Sequence, residues 1–154
     1  MDWKEYEREI EAHFRLEYPS AYITRNAKRR GRFSNALREI DVLIEQQVCD
    51  LPFRIVIDAK FRGRKIDVKD VEEFLGMVRD VCAHKAIMIS PEGYTDAAIQ
   101  RASAGDADVI LDVLKFSELQ CYQGFGAFPF AGQHAVALLP LSGGWWTPLK
   151  VAVR

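Results

Sequence analysis

Asp41, Asp58 and Lys60 are the side chains in this sequence best placed to do chemistry together. Asp41 lies in Arg38-Glu39-Ile40-Asp41-Val42-Leu43-Ile44, and the other two lie in Ile57-Asp58-Ala59-Lys60-Phe61. Both stretches are rich in β-branched and apolar residues, so each reads as a strand with charged groups set into it. Two carboxylates beside an ammonium offer hard oxygen donors next to a fixed positive charge. Mg²⁺ favours such oxygen ligation, typically one or two carboxylates with waters and a phosphate oxygen. A bound ion of this kind polarises a phosphodiester and acidifies an attacking water. An acid between Ile57 and Ala59 with no partner would be costly to bury.

A β-hairpin is the element that must gather these groups. Residues 39–48 and 53–61 read as its strands, with Cys49-Asp50-Leu51-Pro52 as the break. With Val48 opposite Phe53, Asp41 faces Lys60 and Leu43 faces Asp58. Alternation puts Asp58 and Lys60 on one face, and Asp41 joins them from across the ladder. A slip of one residue would send Asp41 to the other face.

Around the hairpin, residues 2–17 read as a helix whose stripe is Trp3, Tyr6, Ile10, His13 and Phe14, stopped by Tyr18-Pro19. Residues 20–24 form a short extended segment, followed by a basic, glycine-containing loop. Asp67 is the expected N-cap of a helix that presents Val71, Phe74, Leu75, Val78 and Cys82. Residues 85–90 predict a buried strand, Thr95 caps a helix over 96–104, and 108–113 predict a second buried strand before a short helical piece at 115–120. The order α-β-β-β-α-β-α-β implies an α/β fold, a mixed central sheet with helices on both faces.

With 154 residues, 49% of them hydrophobic, and a net charge of −1, the chain fits one domain able to bury its own core. No apolar run reaches the roughly 18 residues that would suggest a bilayer span. The charged N-terminal segment argues against a signal peptide. Cys49, Cys82 and Cys121 are odd in number and widely spaced, and read as buried thiols in a reducing, cytoplasmic setting. His13, His84 and His134 lack metal-ligand spacing. Gly124 and Gly126 form no phosphate loop, and Ser90 lacks a nucleophile elbow.

The neutral total hides a local asymmetry. Residues 25–38 carry Arg25, Lys28, Arg29, Arg30, Arg32 and Arg38 without an acid, and Arg54, Lys60, Arg62, Arg64 and Lys65 follow. A run of this kind is either a solvated loop or a phosphate-binding flank, and here it brackets the paired carboxylates. Residues 122–154 differ again, with Phe125, Phe128, Phe130, Trp145 and Trp146 set among small residues. They read equally as irregular strands completing the core or as a surface for a second subunit.

These segments together resemble the PD-(D/E)xK nuclease superfamily, and within it the Mrr-like branch of restriction endonucleases. The likeness runs from Tyr6-Glu7-Arg8-Glu9-Ile10 through the two hairpin motifs, Val71-Glu72-Glu73-Phe74-Leu75-Gly76 and Lys85-Ala86-Ile87-Met88-Ile89-Ser90 to Gly93-Tyr94-Thr95-Asp96-Ala97-Ala98. It implies a restriction-endonuclease-like fold over residues 1–121, with 122–154 as an extension. It also implies a Mg²⁺-dependent DNA endonuclease of restriction or defence type, in which Mn²⁺ can substitute. Asp41, Asp58 and the Ala59 carbonyl would hold the metal. Glu7 would complete its surroundings, with Glu11 as the substitute, and Lys60 would orient the attacking water. Arg62, Arg64 and Lys65 would grip the scissile strand, while Arg29, Arg30 and Arg32 would hold the DNA backbone or enter a groove. A double-strand break would come from a homodimer. A junction-resolving or repair nuclease, and a non-catalytic binding module on the same fold, are the alternatives. The branch often has Glu or Gln where this chain has Asp58, and there is no room here for its usual separate DNA-reading domain.

Overall fold

The computed structural model describes residues 1–104 and 110–122, together with the strand backbones of 136–140 and 146–150. Five strands form one sheet in the order β1-β2-β3-β4-β5: Tyr22–Arg30, Leu37–Val48, Leu51–Ala59, Lys85–Ser90 and Ile110–Lys115. The first three are antiparallel neighbours, and β4 and β5 add in parallel through crossover helices. Helix α1 (Trp3–Glu17) packs on one face; α2 (Val68–Asp80) and α3 (Asp96–Ala104) pack on the other. A 3₁₀ turn, Phe116–Cys121, follows β5. This is the α/β arrangement and element order expected.

The helices begin where short-range chemistry sets them. Asp2 caps α1 in a reciprocal box with Glu5, and Asp67 caps α2 in the same way with Asp70. Tyr6, Ile10 and Phe14, spaced four apart, form the buried stripe of α1 against Val42, Ile44, Ile55 and Ile57. Trp3 stays half-exposed at the helix start. On the other face Val71, Phe74, Leu75 and Val78 cover Leu43, Val56 and Met88. Residues 55–57 and 86–89 are buried throughout, since these inner strands are covered on both sides.

Several expectations are corrected. The hairpin turns through two residues, Cys49 and Asp50, both left-handed (φ 51° and 63°), so Leu51 and Pro52 belong to β3. This is the primed turn that matches strand twist. Pro52 is tolerated because of where its nitrogen faces. Lys60 and Arg54 N–H groups point toward the β4 side, donating to Ile89 and His84. Pro52, next in that alternation, faces a stretch that β4 does not reach. The register therefore moves by two, with Val42 opposite Ile57 and Val48 opposite Leu51. An even shift keeps Asp58 and Lys60 on the face of Leu43 and α2, while on β2 alternation breaks at Asp41, with Ile40 and Leu43 on one face and Val42 and Ile44 on the other. Asp41 now approaches Asp58 instead of Lys60.

The basic segment through Arg30 is strand, not loop. Cys49, Cys82 and Cys121 are exposed, not buried. Strand β5 lies at the sheet edge and buries only Leu111. Strands β6 (Val136–Pro140) and β7 (Trp146–Lys150) pair with each other in a separate antiparallel sheet. Phe125, Phe128, Phe130 and Trp145, on which the reading of the extension turned, lie outside the described residues.

Candidate active site

The two strands that carry the acids separate at the site. β2 and β3 are paired as far as Val42 and Ile57, after which β2 continues against β1 to Leu37 while β3 continues against β4 to Ala59. Ala59 N–H, which faces β2, donates to Asp41 Oδ2 at 2.7 Å. A side-chain carboxylate thus takes the place of a ladder carbonyl and finishes the fork. On the adjoining face Lys60 Nζ lies 3.1 Å from Asp58 Oδ2. The pair opens on a cavity of about 260 Å³ walled by Leu37, Arg38, Glu39, Glu73, Phe74 and Met77. The Ala59 carbonyl accepts from Phe61 N–H at 3.0 Å and keeps a second lone pair.

Glu7 lies on the helix of the opposite face, near enough to Asp41 for their charges to interact. It is buried, beside a cavity of about 340 Å³ shared with Trp3, Lys4, Arg8, Arg25 and Asn26. Glu11, its substitute, is engaged by Arg15 at 2.8 Å and Arg25 at 3.6 Å.

The electrostatics are those of acids held with too few counter-charges. Burial pushes Asp58 up to about 6, against the pull of Lys60, and the Asp41 charge adds to the rise. Burial also raises Asp41, opposed by the Ala59 N–H and by Lys60. Glu7 is raised by burial and then by Asp41, with Arg25 opposing. Asp41 is therefore the group whose charge is felt by both other acids. A cation among them would relieve a repulsion that the protein leaves in place.

The donor set fits a hard divalent ion: two carboxylates from adjacent strands and a main-chain carbonyl with a free lone pair. Among the described residues no three His, Cys, Asp or Glu side chains stand close enough to hold an ion by themselves. Water and phosphate oxygens would therefore fill the remaining positions, as is usual for Mg²⁺.

The basic residues divide by whether a carboxylate holds them. Arg62 and Arg64 both reach Asp70, at 2.7 Å and 3.0 Å, and Arg29 pairs with Glu45 at 2.7 Å. Arg30, Arg32 and Lys65 have no carboxylate partner among the described residues. Sequence reasoning missed Tyr6, whose buried hydroxyl has no hydrogen-bond partner among the described residues and is pushed up by burial and then by Asp58. It also missed Tyr94, whose hydroxyl donates to the Met88 carbonyl at 2.6 Å and underpins the strand beside Asp58. An aromatic on a helix stripe gives no sign that its polar end matters.

The family model of the Mrr catalytic domain, described as restriction endonuclease, matches residues 1–119. The chain belongs to the Mrr-type restriction endonuclease family. A search of curated proteins returns no significant match to this Mrr-type chain. Among solved structures it is similar to a protein of unknown function, AF1548, with 17% identity and a TM-score of 0.57 over 78% of this chain and 60% of that one. It is also similar to VC1899 from Vibrio cholerae, with 19% identity and a TM-score of 0.53 over 75% of this chain and 30% of that one. The DNA modification-dependent restriction endonuclease AspBHI aligns with a TM-score of 0.46 and 18% identity, over 70% of this chain and 27% of that one. The Mrr-type chain thus spans from 27% to 60% of the length of these structural relatives. Among its described residues no helix is long and apolar enough to cross a membrane.

Proposed function

We propose that this Mrr-type domain is a Mg²⁺-dependent endonuclease that hydrolyses phosphodiester bonds in DNA. The observation that carries the reading is the forked strand end, where Asp41 accepts the Ala59 N–H while Asp58 and Lys60 pair beside it. Asp41, Asp58 and the Ala59 carbonyl would hold the ion, with Glu7 contributing from α1. When bound, Mg²⁺ (or Mn²⁺ in its place) neutralises charge on the phosphate and makes water a better nucleophile at neutral pH. Lys60 presents a compact positive charge with rotatable donors, suited to orient the attacking water and stabilise charge growing on the phosphate. Arg30, Arg32 and Lys65 would meet the DNA backbone directly; Arg29, Arg62 and Arg64 would first exchange their carboxylate partners for phosphates. One site cuts one strand, so a double-strand break requires two copies, most simply a symmetric homodimer. Restriction or defence against foreign DNA is the role this activity would serve.

The test is cleavage of supercoiled plasmid with Mg²⁺, with Mn²⁺ and with chelator. The wild-type protein should nick or linearise it only with metal. Asp41→Ala and Lys60→Ala should lower the rate on the order of 10²–10³-fold or more while the far-UV spectrum is unchanged. Cutting at the wild-type rate by either variant would refute the assignment. Preference for branched junctions over plain duplex would move the reading to a structure-selective nuclease.

A further inference from the structure

We propose that the loop joining β1 to β2 is a wedge that inserts Phe33 between stacked bases of bound duplex DNA; the proposal rests on the nuclease reading above. Phe33 is 76% exposed at the tip of residues 31–36. Its surroundings set it apart from an ordinary surface aromatic. Phe33 N–H and Ser34 N–H both donate to Asp80 Oδ1 at 3.0 Å, and Arg38 Nε donates to Asp80 Oδ2 at 2.7 Å. The Ser34 hydroxyl donates to the same carboxylate, and Arg32 N–H donates to the Asp80 carbonyl at 2.7 Å. A Cβ on Gly31 would fall 2.1 Å from Asp80 Oδ2, so only glycine leaves room for this knot. A buried carboxylate is thereby committed to fixing a loop whose most apolar side chain points into water. Folding of the core gains nothing from that orientation.

Charge selects the occupant. The Arg32 guanidinium lies 5.9 Å from the Phe33 ring, and Arg30 stands at the strand end below. Neither has a carboxylate partner among the described residues, Arg30 bonding to Asn35 of the same loop, which suits a polyanion beside the ring. Leu37 and Arg38, directly after the loop, line the cavity that holds Asp58 and Lys60. A duplex seated on that cavity would run past the tip. Leu37 precedes Asp41 by four strand residues, about 13 Å, so the ring would act a few base steps from the scissile phosphate. Apolar wedges in such positions unstack a step and kink the duplex, and the unstacking costs least at a mismatch.

The experiment measures binding of short labelled duplexes, matched or carrying one central mismatch, without divalent metal so that nothing is cut. Wild type should bind the mismatched duplex roughly tenfold tighter, since part of the unstacking is already done. Phe33→Ala should bring the ratio close to one, and Phe33→Trp should retain it. A 2-aminopurine beside the mismatch should brighten on binding wild type and stay dim with Phe33→Ala. Phe33 is exposed, so the Ala variant keeps the fold, which a urea titration checks. An unchanged ratio in Phe33→Ala, or no mismatch preference in wild type, overturns the wedge while plasmid cleavage still stands. If wild type bound no duplex at all and cut none, the nuclease reading would fall as well.

Discussion

Asp58 and Asp80 are two aspartates whose side chains are little exposed, at 14% and 5%, each beside a basic side chain. Around Asp80 the chain supplies two backbone N–H groups, a serine hydroxyl and an arginine, and the carboxyl is held well below its usual range, most of all by Ser34. Around Asp58 it supplies one ion-paired lysine, Lys60, and the more distant charge of Arg62, and burial wins, pushing the carboxyl up to about 6. The difference lies in how many donors answer the charge and in how heavily burial weighs on it. A fully answered carboxylate ties elements together. An under-answered one stores a demand for positive charge that a ligand can meet, which is why perturbed acids in clefts point to function.

The largest effect that would break this contrast is on turnover. Losing Lys60 or Asp41 should remove metal-dependent cleavage, and full activity in either variant would show that the under-answered acids are ornamental. Next in size is stability at the other aspartate. Asp80→Ala strands the donors of the 31–36 loop and of Arg38, and should give the largest fall in urea midpoint among the variants named here. Asp58→Asn should act in the opposite sense. Raising the folded carboxyl from 3.8 to about 6 corresponds to roughly 3 kcal/mol against folding at neutral pH. With Lys60 losing its partner, we expect the metal-free Asn variant to gain about 1–2 kcal/mol while losing cleavage. A destabilised Asn variant would mean that Asp58 is a structural ion pair.

The smallest effect is on pH profiles, and the signs differ between the two residues. Asp58 binds its proton more tightly folded than unfolded, so its contribution to stability is greatest at low pH and is lost between about 4 and 6 as pH rises. Asp80 contributes stability above the ordinary carboxylate range and loses it only as pH falls below that range. Urea midpoints of wild type and Asp58→Asn between pH 4 and 8 should therefore diverge as pH rises. Mg²⁺ affinity by calorimetry should weaken from pH 7 to pH 5, because protons compete for Asp58. A flat affinity over that range would place the ion elsewhere.

Legibility from sequence followed the same division. Asp58 and Lys60 were readable because strand alternation alone fixes two residues apart on one face. The helix caps at Asp67 and Thr95 were readable because their partners lie within one turn. The Asp80 knot was not, because it joins residues more than forty positions apart and nothing local marks Asp80 as other than the charged end of a helix. The first strand was hidden by its composition: arginines, a lysine and Asn26, itself left-handed at φ 50°, carry little β propensity. The register was displaced because Leu51-Pro52 resembles a break, whereas the proline nitrogen faces an unpaired side.

The turn at Cys49 and Asp50 has an evolutionary corollary. Inserting or deleting a pair of residues there slides one strand along the other yet leaves each side chain on its own face. A single-residue change that re-registers the pairing would transpose Asp41 with Val42, bringing a carboxylate into the apolar layer beneath α1. Viable descendants of this hairpin should therefore differ in turn length by even numbers, a parity filter acting at the end of the hairpin farthest from the chemistry.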